Sequence, residues 1–399
     1  MAKYSIEDTT LTNIADAIRN KTGDSATLKP SEMPTAIEGI RTGGGDLSEY
    51  FKTSGFTTPN SSVSIHDQAI LKMPPLDFSN LTNLTYAFSQ YQGKLPQILN
   101  TSNVTNFSSM FNGCKSTEIP FFDTSAGTNF DRMFYGCTKI ITIPQLDTSN
   151  ATSMVSMFDN CQVMTSIPDL DTSNVKNMNR MFYACYGITE IPLLNTSNVT
   201  NMQEMLSSCD GLEKVSFTDT SKVTNMYSLF KQCKKLIEVP LMNTSNVTTM
   251  REMFYDCKLL ETIPEMDTSK VTNMSSMFSG CNNLTNIPSL DASNVTTIGY
   301  SFSNSKNITT FGGFLNLGKG YTQKSANYSN YTLTLSPCTA LTHDSLMNVI
   351  NNLYDLNLSY DVANGGTLYT QKLILGSTNI AKLSAEEIAI ATNKGWTVS

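Results

Sequence analysis

Charge is scarce in this 399-residue chain. Asp, Glu, Lys and Arg make up 15% of it, against about 25% of an ordinary soluble protein. Positive charge is the scarcer sign, with 27 Lys and Arg against 34 Asp and Glu, a net of −7. A general binder of nucleic acid or anionic membrane needs clustered positive charge, so no nucleic-acid partner is expected. No apolar run approaches the roughly 18 residues of a membrane span, so no membrane insertion is expected either. The opening MAKYSIEDTT has no basic stretch leading into an apolar run, and the expectation is a chain without a secretory signal. Histidine is nearly absent: only His66 and His343 occur, neither in a GxSxG or HExxH setting. With no CxxC pair for a thiolate zinc site, the chain is expected to be no enzyme and to carry no cofactor and no metal. Asn, Thr and Ser take the place of the missing charge, and 40% hydrophobic content is enough to build a core.

What is present is repetition. Pro120, Pro144, Pro168, Pro192, Pro240, Pro264 and Pro288 stand on a 24-residue lattice, with Ser216 in the one missing slot. Cys137, Cys161, Cys185, Cys209, Cys233, Cys257 and Cys281 stand on a second, and Cys114 precedes them by 23. Counted from the TSN-like turn, ten units begin at Phe78, Thr101, Thr124, Thr148, Thr172, Thr196, Thr220, Thr244, Thr268 and Ala292. The first and last are degenerate, as terminal units of stacked arrays usually are. A period of 24 lies within the range of leucine-rich repeats.

In one unit, Val271, Met274, Met277, Phe278 and Cys281 follow the spacing of one face of a short helix or helical turn. Asp267-Thr268-Ser269 precedes them and offers oxygens to free N–H groups. Leu284-x-x-Ile287-Pro288-x-Leu290 reads as a short extended segment with its apolar residues inward. A lone coil cannot bury these side chains, whereas stacked coils share a continuous core. Proline cannot donate a ladder hydrogen bond, so the proline column should limit each parallel strand to two or three residues. The Met and Phe columns read as plain core, with Met filling irregular gaps. The expected fold class is an α/β solenoid with short parallel strands.

Around the array, residues 1–42 read as a small helical unit: Leu11, Ile14, Ala15 and Ile18 form a stripe, and Pro30-Ser31 opens a second helix. Gly43-Gly44-Gly45 follows as a hinge, and residues 43–77 read as linker and N-terminal cap, with Leu47, Tyr50 and Phe51 packing on the first coil. The solenoid proper is assigned to residues 78–314. In 315–399 the rhythm changes: TLTLSP from Thr332 and KLILG from Lys372 read as strands. Thr342 through Leu356 reads as a helix, Ser384-x-x-Glu387 opens another as a capping box that Gly395 ends, and Trp396-Thr397-Val398 reads as a last strand. Two longer strand–helix coils and a terminal strand would cap the array.

The unit DTSKVTNMSSMFSGCNNLTNIPSL, residues 267–290, resembles the BspA-like leucine-rich repeats of bacterial and phage surface proteins. LTNIADAIRNKTG and LKPSEMPTAIEGI look like the short leader of tail and baseplate proteins of phages that infect Gram-positive hosts. LSPCTALTHDSLMNVINNLYDL and LSAEEIAIATNKGW resemble the closing segment of the same proteins. The resemblance implies a virion protein of a tail fibre, tail tip or baseplate, assembled in the host cytoplasm and acting at the host cell surface. Residues 1–42 would join it to other virion proteins, and the repeats would meet a host surface glycan or protein. A homo-oligomer is compatible with this, although no coiled-coil heptad supports one. A head-fibre or capsid decoration protein and a bacterial surface adhesin are the alternatives. The adhesin is disfavoured here by the expected lack of a signal peptide, lipobox cysteine and C-terminal anchor.

Two columns invite chemistry. The eight cysteines Cys114, Cys137, Cys161, Cys185, Cys209, Cys233, Cys257 and Cys281 could pair as disulfides, but stacked equivalents point the same way, and a buried structural thiol ladder is favoured. Asp123, Asp147, Asp171, Asp219, Asp267 and Asp291 could suggest calcium, but Asn195 and Asn243 substitute in the same slot and no glycine-rich calcium pattern accompanies them, so capping is favoured. The candidate binding surface is the outward side of the extended segments. There Glu118, Phe121, Asp169, Glu190, Leu193, Lys214, Phe217, Glu238, Leu241, Glu261 and Glu265 vary from coil to coil while the core columns barely change. A solvated face without a ligand is the alternative.

Overall fold

The computed structural model describes residues 76–319, 332–358 and 371–399. The helical leader, nearly all of the linker and cap, and His66 lie outside the described residues. The described chain is a parallel solenoid. A ladder of single-residue parallel bridges runs through Asn83, Asn106, Asn129, Ser153, Asn177, Asn201, Asn225, Thr249, Asn273 and Thr297, which marks ten stacked coils.

The extended side of each coil is brief. Strands β1 (Leu76–Asp77) and β2 (Ile98–Leu99) pair in parallel at one end of the array. At the other end β3 (Asn286–Ile287) pairs with β5 (Thr310–Phe311), and β4 (Leu290–Asp291) with β6 (Phe314–Leu315). Pro288, which has no N–H, falls in the break between β3 and β4.

On the opposite side, where the spacing allows a short helix or a helical turn, the chain is a run of turns with no α-helix in any described repeat coil. In the coil at 274–281 the N–H groups alternate. Those of Met277, Ser279 and Cys281 bond back to Met274, Ser276 and Phe278 carbonyls at 3.2–3.3 Å. Those of Met274, Ser276, Phe278 and Gly280 bond across to Thr297, Gly299, Ser301 and Ser303 carbonyls of the next coil at 2.7–2.9 Å. An α-helix spends its N–H groups within its own segment, whereas these coils direct every second one to the next coil. The alternation requires left-handed backbone at Ser276 and Gly280, with φ of 54° and 77°. The first of these slots is filled by Ser, Arg, Glu or Tyr in every coil and never by Gly, for example Arg132, Arg180, Glu204 and Glu252.

Side chains extend the ladders, which explains why hydroxyls and amides replace charge. Buried Thr268 donates from Oγ1 to the Asp291 carbonyl at 2.9 Å, and Thr101, Thr124, Thr148, Thr172, Thr196, Thr220 and Thr244 repeat the bond. Asn294 donates from Nδ2 to the Ser269 carbonyl one coil earlier, as do Asn150, Asn174, Asn198 and Asn246 to their counterparts. Such neutral bonds contribute about 1 kcal/mol each without the desolvation cost of buried charge.

Inside, the Val, Met, Phe, Cys, Leu and Ile columns form one continuous core. Phe111, Phe134, Phe158 and Phe182 stack face to face at 5.5–5.6 Å. Leu206 takes the next slot, and the stack resumes through Phe230, Phe254, Phe278 and Phe302 at 5.7–5.9 Å.

Beyond the repeats, β7 (Thr332–Thr334), β8 (Gln371–Ile374) and β9 (Trp396–Val398) form a parallel sheet in that order. Helix α1 (His343–Asn352) starts at the cap Thr342, whose side chain accepts from the Ser345 N–H. The sequence suggested a longer helix, to Leu356. It stops earlier because Leu353 turns extended to bridge Leu317, and Lys394 Nζ donates to the Ile350, Asn351 and Leu353 carbonyls. A short helix α2 (Ser377–Ile380) had no sequence signal that marked it. Helix α3 (Ala385–Asn393) opens with the Ser384–Glu387 capping box, and Gly395 follows it at φ 85°.

Candidate functional site

Each coil's extended side has two consecutive outward positions between its inward residues, as Glu261 and Thr262 stand between buried Leu260 and Ile263, and one more after the proline slot. Glu118, Asp169, Glu190, Lys214, Glu238, Glu261 and Glu265 are all exposed. Three apolar residues beside them are strongly so: Phe121 at 72%, Leu193 at 64% and Leu241 at 77%. Ile141 and Ile237, one column away, are exposed as well. Their place among the two positions between the buried residues of each coil was the signal for them.

Phe217 departs from this pattern. It is half-buried, packs against the core and lies 6.4 Å from the Phe230 ring. The cause is local. Its coil has Thr218 where neighbours have buried Leu194 and Met242, so no apolar side chain fills the slot. The chain slips by one residue, Phe217 bridges Leu194, and Thr218 turns outward to donate from Oγ1 toward Asn195 and accept the Thr196 N–H. Ser216 in the proline slot leaves that slip unhindered.

The two sides of the solenoid treat charge differently. On the turn side, charges neutralise one another between coils. Arg180 bonds Asp159 and Glu204, both at 2.8 Å, and its guanidinium lies 3.7 Å from the Tyr183 ring centre. Lys231 and Arg251 both reach Glu252, and Lys234 reaches Asp210 at 2.6 Å. Burial is the larger influence on Glu252 and would raise its pKa, but the cations Lys231 and Arg251 outweigh it and hold the carboxyl below its ordinary range. On the extended side, Glu190, Glu238, Glu261 and Glu265 have no ion-pair partner among the described residues. Glu118 and Glu213 have only loose pairs, with Lys94 at 3.6 Å and Lys235 at 3.7 Å.

All nine cysteines are buried and free, Cys338 among them in the C-terminal cap. The column is more than apolar filling. Cys281 Sγ donates to the Phe254 carbonyl at 3.0 Å, an oxygen that already accepts the Cys257 N–H at 3.1 Å. Cys137, Cys161, Cys185, Cys209, Cys233 and Cys257 make the same bond at 2.9–3.2 Å. Ser305 occupies the slot in the last coil and makes the equivalent bond to the Phe278 carbonyl. Burial pushes the thiols up, to about 11 for Cys114 and about 12 for Cys209 and Cys338.

The Asp column is consumed locally. Asp267 Oδ1 accepts the Ser269 N–H at 3.0 Å and the Ser269 hydroxyl at 2.7 Å, and Asn195 and Asn243 make the same pair of bonds. These bonds from Ser269 hold the Asp267 carboxyl below its ordinary range. His343 stands exposed on α1, with Nε2 2.9 Å from Glu387 Oε1, a contact that joins the first turns of α1 and α3. What the extended side can do is bind: it offers exposed aliphatic groups and uncompensated carboxylates on a rigid frame.

Comparison with known proteins places the repeats. A family model described as "Mycoplasma protein of unknown function, DUF285" matches in overlapping stretches, 60–166, 118–216, 152–258 and 211–314, which together span more than half of the chain. No curated protein matches it. Among solved structures, the chain is similar to a leucine-rich repeat protein of T. pallidum, at 21% identity over 39% of this chain and 69% of that one, with a TM-score of 0.31. It is also similar to one from Eubacterium ventriosum, at 17% over 62% and 80%, with a TM-score of 0.35. A third is the pneumococcal vaccine antigen PcpA, at 14% over 72% and 88%, with a TM-score of 0.40.

Proposed function

The chain belongs to the DUF285 family of BspA-like leucine-rich repeat solenoids, and from that premise we propose that it is a non-enzymatic attachment protein that binds a cell surface through the extended side of its coils. The observation that carries this reading is the contrast within one chain. The Val, Met, Phe, Cys and Leu columns hold nearly constant residues, while the outward columns vary along the array and put Phe121, Leu193 and Leu241 into solvent. Core positions are fixed by packing, and a solvated face has no need of exposed Phe and Leu. A rigid frame that presents variable side chains in register is what solenoids use for binding.

In the finer form of the proposal, the protein is carried on a phage particle at a tail fibre, tail tip or baseplate, joined to it through residues 1–42, and meets a host surface glycan or protein. The similarity of the leader and closing segments to such proteins supports this form. A bacterial surface adhesin is the second reading, and the family's description as a Mycoplasma protein favours it. Antibody labelling decides between them: gold on tails of purified particles supports the first form, and label on intact cells free of phage supports the second. Attachment itself is tested with fluorescent full-length protein on host cells, wild type against Leu193→Ser/Leu241→Ser. Unchanged attachment of a folded double variant removes the extended side from the account.

A further inference from the structure

The charge on this molecule is arranged in two ways. On the turn side, carboxylates are met by cations one coil away, as Arg180 meets Glu204 and Lys231 meets Glu252. On the extended side, Glu190, Glu238, Glu261 and Glu265 stand without an ion-pair partner among the described residues. They flank Leu193 and Leu241 within four consecutive coils, and exposed Lys214 stands between Glu190 and Glu238, bridged in register to Glu190. With coils about 4.8 Å apart, this net acidic strip and its two leucines cover a patch roughly 15 Å long. Four carboxylates outnumber the one exposed cation among them, Lys214, so the strip keeps a net negative charge that a cationic partner relieves.

We propose that the extended face across residues 190–265 docks a basic protein segment, one whose Lys or Arg residues flank aliphatic side chains. This rests on the attachment reading above and specifies its partner. The aliphatic centre argues for protein over sugar. Sugar rings stack on flat aromatic faces, and Leu193 and Leu241 have none, while the Phe217 ring is turned toward the core. Aliphatic anchors within a charged rim are the usual anatomy of a protein interface. The carboxylates set the sign of the partner and speed its approach.

The test uses the full-length chain and an amphipathic helical peptide of Leu and Lys, with the same peptide carrying Ser for every Leu as its control. Titration calorimetry in low and high salt gives both affinities. The expected result is binding of the Leu–Lys peptide about tenfold or more tighter than of the Ser–Lys peptide, because one buried aliphatic anchor is worth about that much. It should weaken as salt screens the carboxylates. Glu238→Gln/Glu261→Gln should weaken it by about tenfold, and Leu241→Ser likewise. Asp344→Asn/Glu386→Gln, which removes the same charge from the exposed C-terminal cap, should change it less than about twofold. Equal affinity for the two peptides, or equal losses in the two charge variants, overturns the proposal, because a bulk negative charge then suffices. Saturable binding of a soluble bacterial wall polysaccharide that survives Glu238→Gln/Glu261→Gln overturns it in favour of a glycan. If the peptides fail while Leu193→Ser/Leu241→Ser still abolishes cell attachment, the basic partner falls and the attachment reading stands.

Discussion

Raising the pH should unfold this protein through its own thiols. All nine cysteines are buried, and burial raises their pKa from the ordinary value of 9.0 to about 11 for Cys114 and about 12 for Cys209. The sign follows from linkage. The folded chain keeps its thiols protonated, while the unfolded chain releases them above pH 9, so the stability they contribute is full below about 9 and declines as pH rises toward the folded values. At about pH 10 each thiol ionised only in the unfolded chain costs about 1 kcal/mol, and nine together cost on the order of 10 kcal/mol. That is comparable to the whole stability of many domains. Urea unfolding followed by circular dichroism in a phosphine reductant, at about pH 8 and about pH 10, measures it. The midpoint should fall steeply between the two, and the thiols should be inert to a chromogenic disulfide reagent at the lower pH until the protein unfolds. In Cys161→Ser/Cys209→Ser/Cys257→Ser the pH-dependent drop should shrink by about a third, since three of nine thiols are gone. An unchanged midpoint at about pH 10, or thiols that react in the native state, refutes the reasoning.

Two further outcomes are expected. Cys257→Ser retains a donor to the Phe230 carbonyl and should cost less than about 1 kcal/mol, whereas Cys257→Ala removes it and should cost about 1–3 kcal/mol, both read from urea midpoints at neutral pH. Arg132→Gly, at an exposed position with a left-handed φ of 54°, should raise the midpoint by the equivalent of about 0.5–1 kcal/mol, because relief of the side-chain clash outweighs glycine's extra unfolded entropy.

The repeat made the core legible before any coordinates. Columns such as Met274 and Phe278 recur at a spacing that only stacking satisfies. The turn side was harder to read, because Met274, Met277, Phe278 and Cys281 fit one face of a helix as well as a chain of turns. Gly113, Gly136 and Gly280, with Asn160 and Asn304 in the same column, carried the missing signal, since a left-handed slot attracts those residues. The column of Ser276 carried none, because neighbouring coils force it left-handed whatever its side chain. Ser305 in the cysteine slot hinted that the column donates hydrogen bonds. Thr218 in a leucine slot was the mark that Phe217 would turn inward. On the candidate site, the position just after each proline marked Leu193 and Leu241 as outward. Sequence could not show which carboxylates lack a partner, because that depends on coils 24 residues apart coming together.

The most direct test of the account is photo-crosslinking on the host cell surface with benzoylphenylalanine in place of Leu241 on the extended side or of Tyr300 on the turn side, both 77% exposed. The account predicts a discrete adduct from position 241 and none from position 300. An adduct from position 300 with none from 241 would contradict it.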